Sequence, residues 1–433
     1  MKAIVLDLGS SYTKCAVMDT EAGDWRAVQS LPAPPNCATQ LGRYELDADA
    51  YFRQVQLCLA TALHAEPSVS ALVLTTQMHG FVLTDTAMRV RSHYVSWQDR
   101  ASLTRGSDGM TAMEALQRLL PSDALAGHGV PLKPNLALCN LYARIREGLA
   151  IEPDTLLHTL GGYMLARLGG PHLCHDTNAA PLGVYNVAQQ IMNSDLSHAI
   201  LGRSIILPEA VSSFEPVAKC VIEGHTMSLY PDVGDHQACV LGALEGQPNR
   251  LCVNVGTAGL MNMVAAAFTY GPYETRPFFG GSFLPTVSGL PGGRHLDVLF
   301  QFVRRFLDRF GATVPDDAIW SSLMYCDANP TLTIRGDIFT GGGDISGIGP
   351  TVSLDDVIAS TYLAIGKAYA QAARVIKPVD GSYSMNVVFL GGAAEKNAAL
   401  RRHIQQQLGM PHASVSRDSV LLGALELARS IER

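Results

Sequence analysis

Long apolar runs, paired cysteine motifs and blocks of one charge are all missing from this sequence of 433 residues. No stretch of about 18 apolar residues occurs, so no membrane-spanning helix is expected. The first apolar run breaks at Asp7, which argues against a secretory leader. The nine cysteines are an odd number and form no C-x-x-C pair. Cys15, Cys58, Cys239 and Cys252 lie in apolar segments and read as free buried thiols of a reducing compartment. A Lys/Arg-rich run is also absent, and the net charge of −7 with a pI near 6.0 argues against a nucleic-acid surface. Charge itself is scarce, at 16% of residues against 47% apolar. That balance describes a globular chain with large cores, and the length predicts two domains. A cytoplasmic protein is expected, monomeric or a homodimer, without a nucleic-acid or membrane partner.

What is present is an α/β pattern. Ala3 to Leu8 reads as a buried strand that turns at Gly9, and Cys15 to Met18 resumes it as a hairpin. Asp47 can cap a helix whose apolar positions are Phe52, Val55, Leu59 and Leu63. Ala71 to Leu74 then reads as a strand reached by a helical crossover. The second half opens alike. Leu251 to Val255 breaks at Gly256-Thr257-Ala258-Gly259, and Leu260 to Val264 resumes it. Ser353 and Asp356 have capping-box spacing before a helix with apolar positions at Leu354, Ile358, Tyr362, Ile365, Tyr369, Ala372 and Ile376. Asn386 to Leu390 is the next strand, and an apolar helix runs from about Val420 to Ile431. The echo suggests two related α/β domains, 1–228 and 229–433, facing a common cleft. Between about Asn140 and Ser228 the pattern gives helices without an order of elements.

Two glycine turns sit at matching places. In Asp7-Leu-Gly-Ser-Ser-Tyr-Thr-Lys14, Gly9 permits a tight turn. Ser10, Ser11 and Thr13 add hydroxyls, and Lys14 adds a cation. Turn N–H groups of this kind form anion-binding concavities. Gly256-Thr257-Ala258-Gly259 has similar chemistry without the lysine. The familiar nucleotide signatures do not fit. No G-x-x-x-x-G-K-S/T exists, and Gly341 to Gly349 lacks the G-x-G-x-x-G spacing. Asp7 beside a phosphate turn would repel its ligand unless Mg²⁺ lay between them, and is otherwise a turn-capping residue. Asp235 opens a helix-like run and reads either as an N-cap or as a general base held at a cleft. The ribbon Val73 to Asp85 places Gln77, Met78, His79 and Gly80 between two strand-like ends.

These pieces together resemble the FGGY family of carbohydrate kinases, and the resemblance spans nearly the whole chain. Asp7 to Lys14 resembles the family's first phosphate loop. Gln77-Met-His-Gly80 and Ser96-Trp-Gln-Asp-Arg100 resemble its ketose-binding segments, and Gly234-Asp235 its catalytic-base segment. Asn254 to Gly259 resembles its second phosphate loop, and Gly391-Gly-Ala-Ala-Glu-Lys-Asn397 its adenosine loop. Within the family, His175-Asp-Thr-Asn-Ala-Ala180 and Arg276 to Leu284 are most similar to the sedoheptulokinase branch, with xylulokinases close rivals. Arg335-Gly336-Asp337 departs from the Gly-Glu-Arg that many members carry.

The resemblance implies two actin/hexokinase-like (ribonuclease H-like) ATPase domains around a central cleft, with ATP and Mg²⁺ as cofactors and a ketose as substrate. It implies Asp235 as the base. Gln77, Met78, His79, Trp97, Asp99, Asp176, Asn178, His236 and Asp235 itself would line the sugar pocket. Gly9, Ser10, Ser11, Thr13, Lys14, Gly256, Thr257, Gly391, Gly392, Ala393 and Asn397 would hold the nucleotide, with Asp7 at the metal. An actin-like assembly ATPase and a catalytically silent sugar sensor are the readings of other classes.

Overall fold

The structure is a computed structural model that describes residues 1–121, 123–202, 204–335, 342–376, 386–415 and 418–431. Gly336, Asp337 and Gly341 lie outside them. The first strand, β1 (Lys2–Leu8), is buried from Ala3 onward, so it needs cover on both faces. Its hairpin partner β2 (Tyr12–Asp19) and then β3 (Asp24–Pro32) pair antiparallel on one side. Helix α1 (Ala48–Ala65) starts at Asp47, whose carboxylate accepts from Ala50 N, and crosses to β4 (Ala71–Thr76). β4 lies parallel to β1. Beyond it come β5 (Val82–Thr84), the short helix α2 (Asp176–Ala179), and the hairpin of β6 (Ala218–Ile222) and β7 (His225–Leu229). The far edge of β4 is shared: β7 pairs with Ala71–Leu72, and β8 (Val233–Gly234) pairs with Thr75–Thr76. The division expected at 228/229 falls inside β7.

Helix α3 (Asp235–Leu244) leads to a second sheet. Its strands are β9 (Leu251–Val255), β10 (Gly259–Asn262), β11 (Glu274–Pro277), β12 (Phe283–Leu290), β13 (Val387–Leu390) and β14 (His412–Ala413). The order is β11-β12-β10-β9-β13-β14. The β9–β10 hairpin with β13 parallel to β9 repeats the arrangement of β1, β2 and β4. The echo read in the sequence is therefore a repeated topology. Later helices include α4 (Gly293–Arg309), α5 (Leu354–Val375), α6 (Gly392–Lys396), α7 (Ala398–Leu408) and α8 (Ser419–Ser430). The capping box at Ser353 and Asp356 is formed. Leu354, expected on the buried stripe, is 42% exposed; it is the first residue of α5, ahead of the turns that meet the sheet.

Each sheet is covered on both faces. α1 packs Tyr51, Val55 and Leu59 on Ile4, Leu6 and Leu74. α8 packs Leu421, Ala424, Leu425 and Ala428 on Ala3, Val5, Ala16 and Val73. α5 packs on Val253, Val255 and Phe389, and α3 covers Cys252, Val388 and Leu390. So α3 and α8 lie between the two sheets, and they cross where both are glycine. A Cβ on Gly423 would stand 1.9 Å from Ala238 O, and one on Gly242 would stand 2.0 Å from Ser419 O.

Candidate active site

The carboxyl ends of β1, β4 and β8 lie side by side. Asp7 is in register with Thr75, and Gly234 with Thr76. β4 is the middle strand, so the backbones at Asp7 and Asp235 stand about two strand spacings apart, roughly 10 Å. The Gly9 turn, the Gln77–Gly80 ribbon and Asp235 all leave the sheet at this one edge. Such ends are where open α/β sheets bind ligands.

The ribbon is fixed from both sides. Gln77 N donates to Leu8 O at 2.9 Å, and its side-chain Nε2 to Gly9 O at 3.3 Å. Met78 packs on Gly234, and Tyr94 fills the space that a side chain at Gly80 would need. His79 takes φ 69°, a conformation costly for a non-glycine residue and common at functional sites. A bridge between Phe81 and Val95 brings Ser96 and Trp97 alongside, where Ser96 Oγ donates to Gln77 Oε1 at 3.4 Å and Trp97 is half-buried. Asp99 faces inward. It accepts from Tyr44 N, Ala101 N and Arg144, the last at 2.8 Å, and is fully buried.

Asn178 is also committed internally. Its Nδ2 donates to Asp232 Oδ2 at 2.7 Å and to Thr76 Oγ1 at 3.1 Å. Thr159 donates to Asp232 as well, and Gly234 N donates to Thr177 Oγ1 at 3.1 Å. α2 therefore braces the strand that delivers Asp235. Asp176 is buried, 3.0 Å from His175 Nδ1. His236, the second residue of α3, lies 3.2 Å from Asn262 Oδ1.

At the first glycine turn, Gly9 N donates to Tyr12 O at 3.0 Å and closes it. Ser10 is half-buried and Ser11 exposed. Thr13 is buried and donates to Gln54 Oε1 at 3.3 Å. Lys14 reaches Asp418 at 2.9 Å and Asp7 at 3.8 Å. The second turn leaves Thr257 exposed, with Gly293 N donating to Gly256 O at 2.7 Å. Gly391 packs so closely on this turn, at φ 85°, that a Cβ would meet Asn254 Oδ1 at 2.5 Å. Gly392 and Ala393 follow in α6, with Gly392 open to solvent. Asn397 caps α7 through Leu400 N and donates to Tyr362 OH at 2.9 Å.

The model of the N-terminal domain of the FGGY family of carbohydrate kinases matches residues 2–234. This is over half of the chain, ending one residue before Asp235. The chain belongs to the FGGY family. It is an ATP-dependent carbohydrate kinase. Gluconate kinase from Lactobacillus acidophilus has a similar structure, with TM-score 0.81 at 18% identity, covering 100% of this chain and 89% of that one. Xylulose kinase from Rhodospirillum rubrum gives TM-score 0.82 at 17% identity, covering 99% and 89%. Plasmodium falciparum glycerol kinase with ADP gives 0.79 at 13% identity, covering 98% and 88%. At these identities the likeness shows the fold of two actin/hexokinase-like domains. Among curated proteins, none matches this chain. Among the described residues, no helix is long and apolar enough to cross a membrane.

The electrostatics of the kinase's cleft follow from burial. Asp235 is pushed up to about 7 by burial and by the charge of Asp7. Burial also raises Asp7 to about 6, against the pull of Lys14 and of a 3.0 Å hydrogen bond from Thr75. His79 is held down at about 3 and His236 at about 4, chiefly by burial and next by Arg276, so both rings are neutral at pH 7. Burial opposes the Lys14 ammonium, but Asp418 and Asp7 outweigh it and raise its pKa.

Several residues around the site carried no assignment in the sequence. Tyr51 of α1 donates to Gly9 O at 3.0 Å. Lys133, Glu274, Arg276, Asn262 and Thr286 gather beside His79 and His236. Arg276 opens a stretch that resembles one branch of the family, yet nothing local gives it a role.

Proposed function

We propose that this kinase moves the γ-phosphoryl group of ATP to the terminal primary hydroxyl of a ketose, with sedoheptulose the first substrate and D-xylulose the second. The observation that carries the reading is Asp235: a half-buried carboxylate with its pKa raised to about 7, at the strand edge shared with the Gly9 turn and the Gln77–His79 ribbon. A general base works best when its pKa lies near the working pH. The motifs around Asp176 and Arg276 favour sedoheptulose; the xylulose kinases among the structural relatives favour the pentulose.

The sugar would lie against Gln77, Met78, His79 and Trp97, with His236 beside its reacting end. Asp235 takes the hydroxyl proton as that oxygen bonds to the γ-phosphorus. The bond from phosphorus to the β,γ-bridging oxygen breaks, and ADP leaves. Exposed Thr257 and Ser11, with the N–H groups of both turns, would hold phosphates, and Gly392, open to solvent, would let adenosine lie along the backbone. Positioning and charge stabilisation dominate such transfers. Among the described residues no cluster of three or more His, Cys, Asp or Glu side chains could hold a metal by itself. Asp7 nonetheless fits Mg²⁺, which commonly takes one carboxylate plus water and phosphate oxygens: it is buried beside the phosphate turn, with Lys14 3.8 Å away and drawn closer to Asp418. Bound Mg²⁺ would offset phosphate charge there.

The test is ATP consumption with Mg²⁺ against sedoheptulose, D-xylulose, D-ribulose, L-ribulose and glycerol, with a no-sugar control. The largest kcat/KM is expected for sedoheptulose. A preference for xylulose or ribulose moves the substrate and keeps the mechanism. No response to any of the sugars removes the ketose reading.

A further inference from the structure

The side of the second sheet that faces α3 changes character along its length. Under the helix it is apolar, where Cys252, Leu284, Val388 and Leu390 meet Val240, Ala243 and Leu244. Beyond the helix N-terminus it is polar. Register sets Asn262 opposite Thr286 and Thr286 opposite Glu274. Alternation then puts Arg276 and Ser288 on the same face. Five polar side chains on three adjacent strands thus form one wall, with His236 at one flank and Lys133, from the first half of the chain, at the other.

The wall is ordered from within. Thr286 Oγ1 donates to Asn262 Oδ1 at 2.8 Å, and His236 Nε2 lies 3.2 Å from the same oxygen. Arg276 Nε and Nη2 donate to Glu274 Oε2 at 2.9 and 2.7 Å. Lys133 and Ser288 both bond the other Glu274 oxygen. Glu274 is saturated. Burial would raise its pKa, but Arg276 and Lys133 outweigh it and keep it ionised.

Three donors are left over. Asn262 Nδ2 and His79 Nδ1 are buried without a partner, and His79 Nδ1 is a donor only in one of its two tautomers. Arg276 Nη1 has no hydrogen-bond partner among the described residues and, unlike the other two, is not fully buried. Buried polar groups without partners are rare in folded proteins and mark places where something else binds. Lys133, Glu274, Thr286 and Ser288, though not Arg276 itself, line a cavity of about 670 Å³, so the Lys133 flank of the wall is open to a small molecule.

We propose that Arg276 is a substrate-binding residue that takes an acceptor oxygen of the sugar, carbonyl or hydroxyl, at the end away from the hydroxyl that Asp235 deprotonates. The proposal rests on the sugar-kinase reading and extends it to the far end of the pocket. Lys133 is a positioning residue: it holds Glu274, which holds the guanidinium. Two cations and one carboxylate leave the wall one net positive charge. The matching substrates are neutral or anionic at that end, and a sugar bearing an ammonium group there is refused.

The experiment is steady-state kinetics of Arg276→Met, Arg276→Lys and Lys133→Met with whichever ketose the parent turns over best. For Arg276→Met the sugar KM is expected to rise about tenfold or more while the KM for ATP moves less than about threefold. Arg276→Lys restores part of the loss. Lys133→Met shifts sugar KM in the same direction, by roughly threefold to tenfold; this half-buried position carries the test if Arg276→Met does not fold. A sugar KM within about threefold of the parent in Arg276→Met overturns the proposal. So does an equal rise in the sugar and ATP constants, which is the mark of a merely structural role. A parent inactive on every ketose ends the sugar reading and the proposal together, so the two failures are told apart by the parent alone.

Discussion

At the scale of single residues, the cleft is built from groups that the fold holds away from their solution behaviour. Asp235→Ala removes the proposed acceptor of the hydroxyl proton, and kcat is expected to fall by about 10²–10⁴ with little change in sugar KM. A kcat within tenfold of the parent would take Asp235 out of this role. The raised pKa has a second consequence. The folded chain holds this proton more tightly than the unfolded chain, from the ordinary carboxylate range up to about 7. Stability therefore falls as pH rises through that window. Asp235→Asn should then unfold at higher denaturant than the parent at pH 8, by roughly 1–3 kcal/mol, and match it near pH 4. Activity runs the other way: kcat/KM of the parent should climb with pH until Asp235 is ionised, levelling above about pH 7. A pH–rate profile flat from 5 to 8 would contradict both the assignment and its cause.

At the scale of elements, what was legible in the sequence was what local chemistry decides. Asp47 and Ser353 cap the helices that their spacing predicted, and the turns at Gly9 and Gly256 break strands as expected. Strand ends carried Asp7, Gln77–His79 and Asp235 to one edge, because parallel strands align their carboxyl termini. Illegible were partnerships made across long stretches of chain. Asp99 and Asn178 both read as sugar contacts, and nothing local shows that Arg144 folds against the one and Asp232 takes the amide of the other. Between Asn140 and Ser228 the strands are short, as at Leu173–His175, Ile205–Ile206 and Glu209–Val211, and too brief to show a period. The crossing of α3 and α8 was hidden for the same reason, since Gly242 and Gly423 each look like an ordinary helix interruption. Gly423→Ala should cost roughly 1–3 kcal/mol or more, measured by denaturant unfolding, because the neighbour it meets is backbone and cannot rotate away. A neutral result would mean that the helices part freely.

At the scale of the whole molecule, the parts proposed to bind ligand belong to different halves. The Gly9 turn and the ribbon rise from the first sheet, while Thr257, Gly391 and the Asn262–Arg276 wall rise from the second. Chemistry then depends on how the halves sit, and sugar is the natural trigger for bringing them together and shutting out water. ATP hydrolysis without sugar is expected to run at least about tenfold slower than ATP consumption with it. Equal rates in an ATP-coupled assay would favour an assembly-type ATPase. The placement of α8 adds a demand that acts before any catalysis. The face formed by Ala3, Val5, Ala16, Met18, Ala71 and Val73 finds its cover in Leu421 to Ala428, with Tyr230 and Phe214 beside them. On a ribosome adding about 5–20 residues per second, that apolar face waits roughly 20–70 s for its lid. During synthesis the first half is thus a sticky, half-finished sheet. Nascent chains stalled before residue 418 are the species that chaperones would hold and that would aggregate without them.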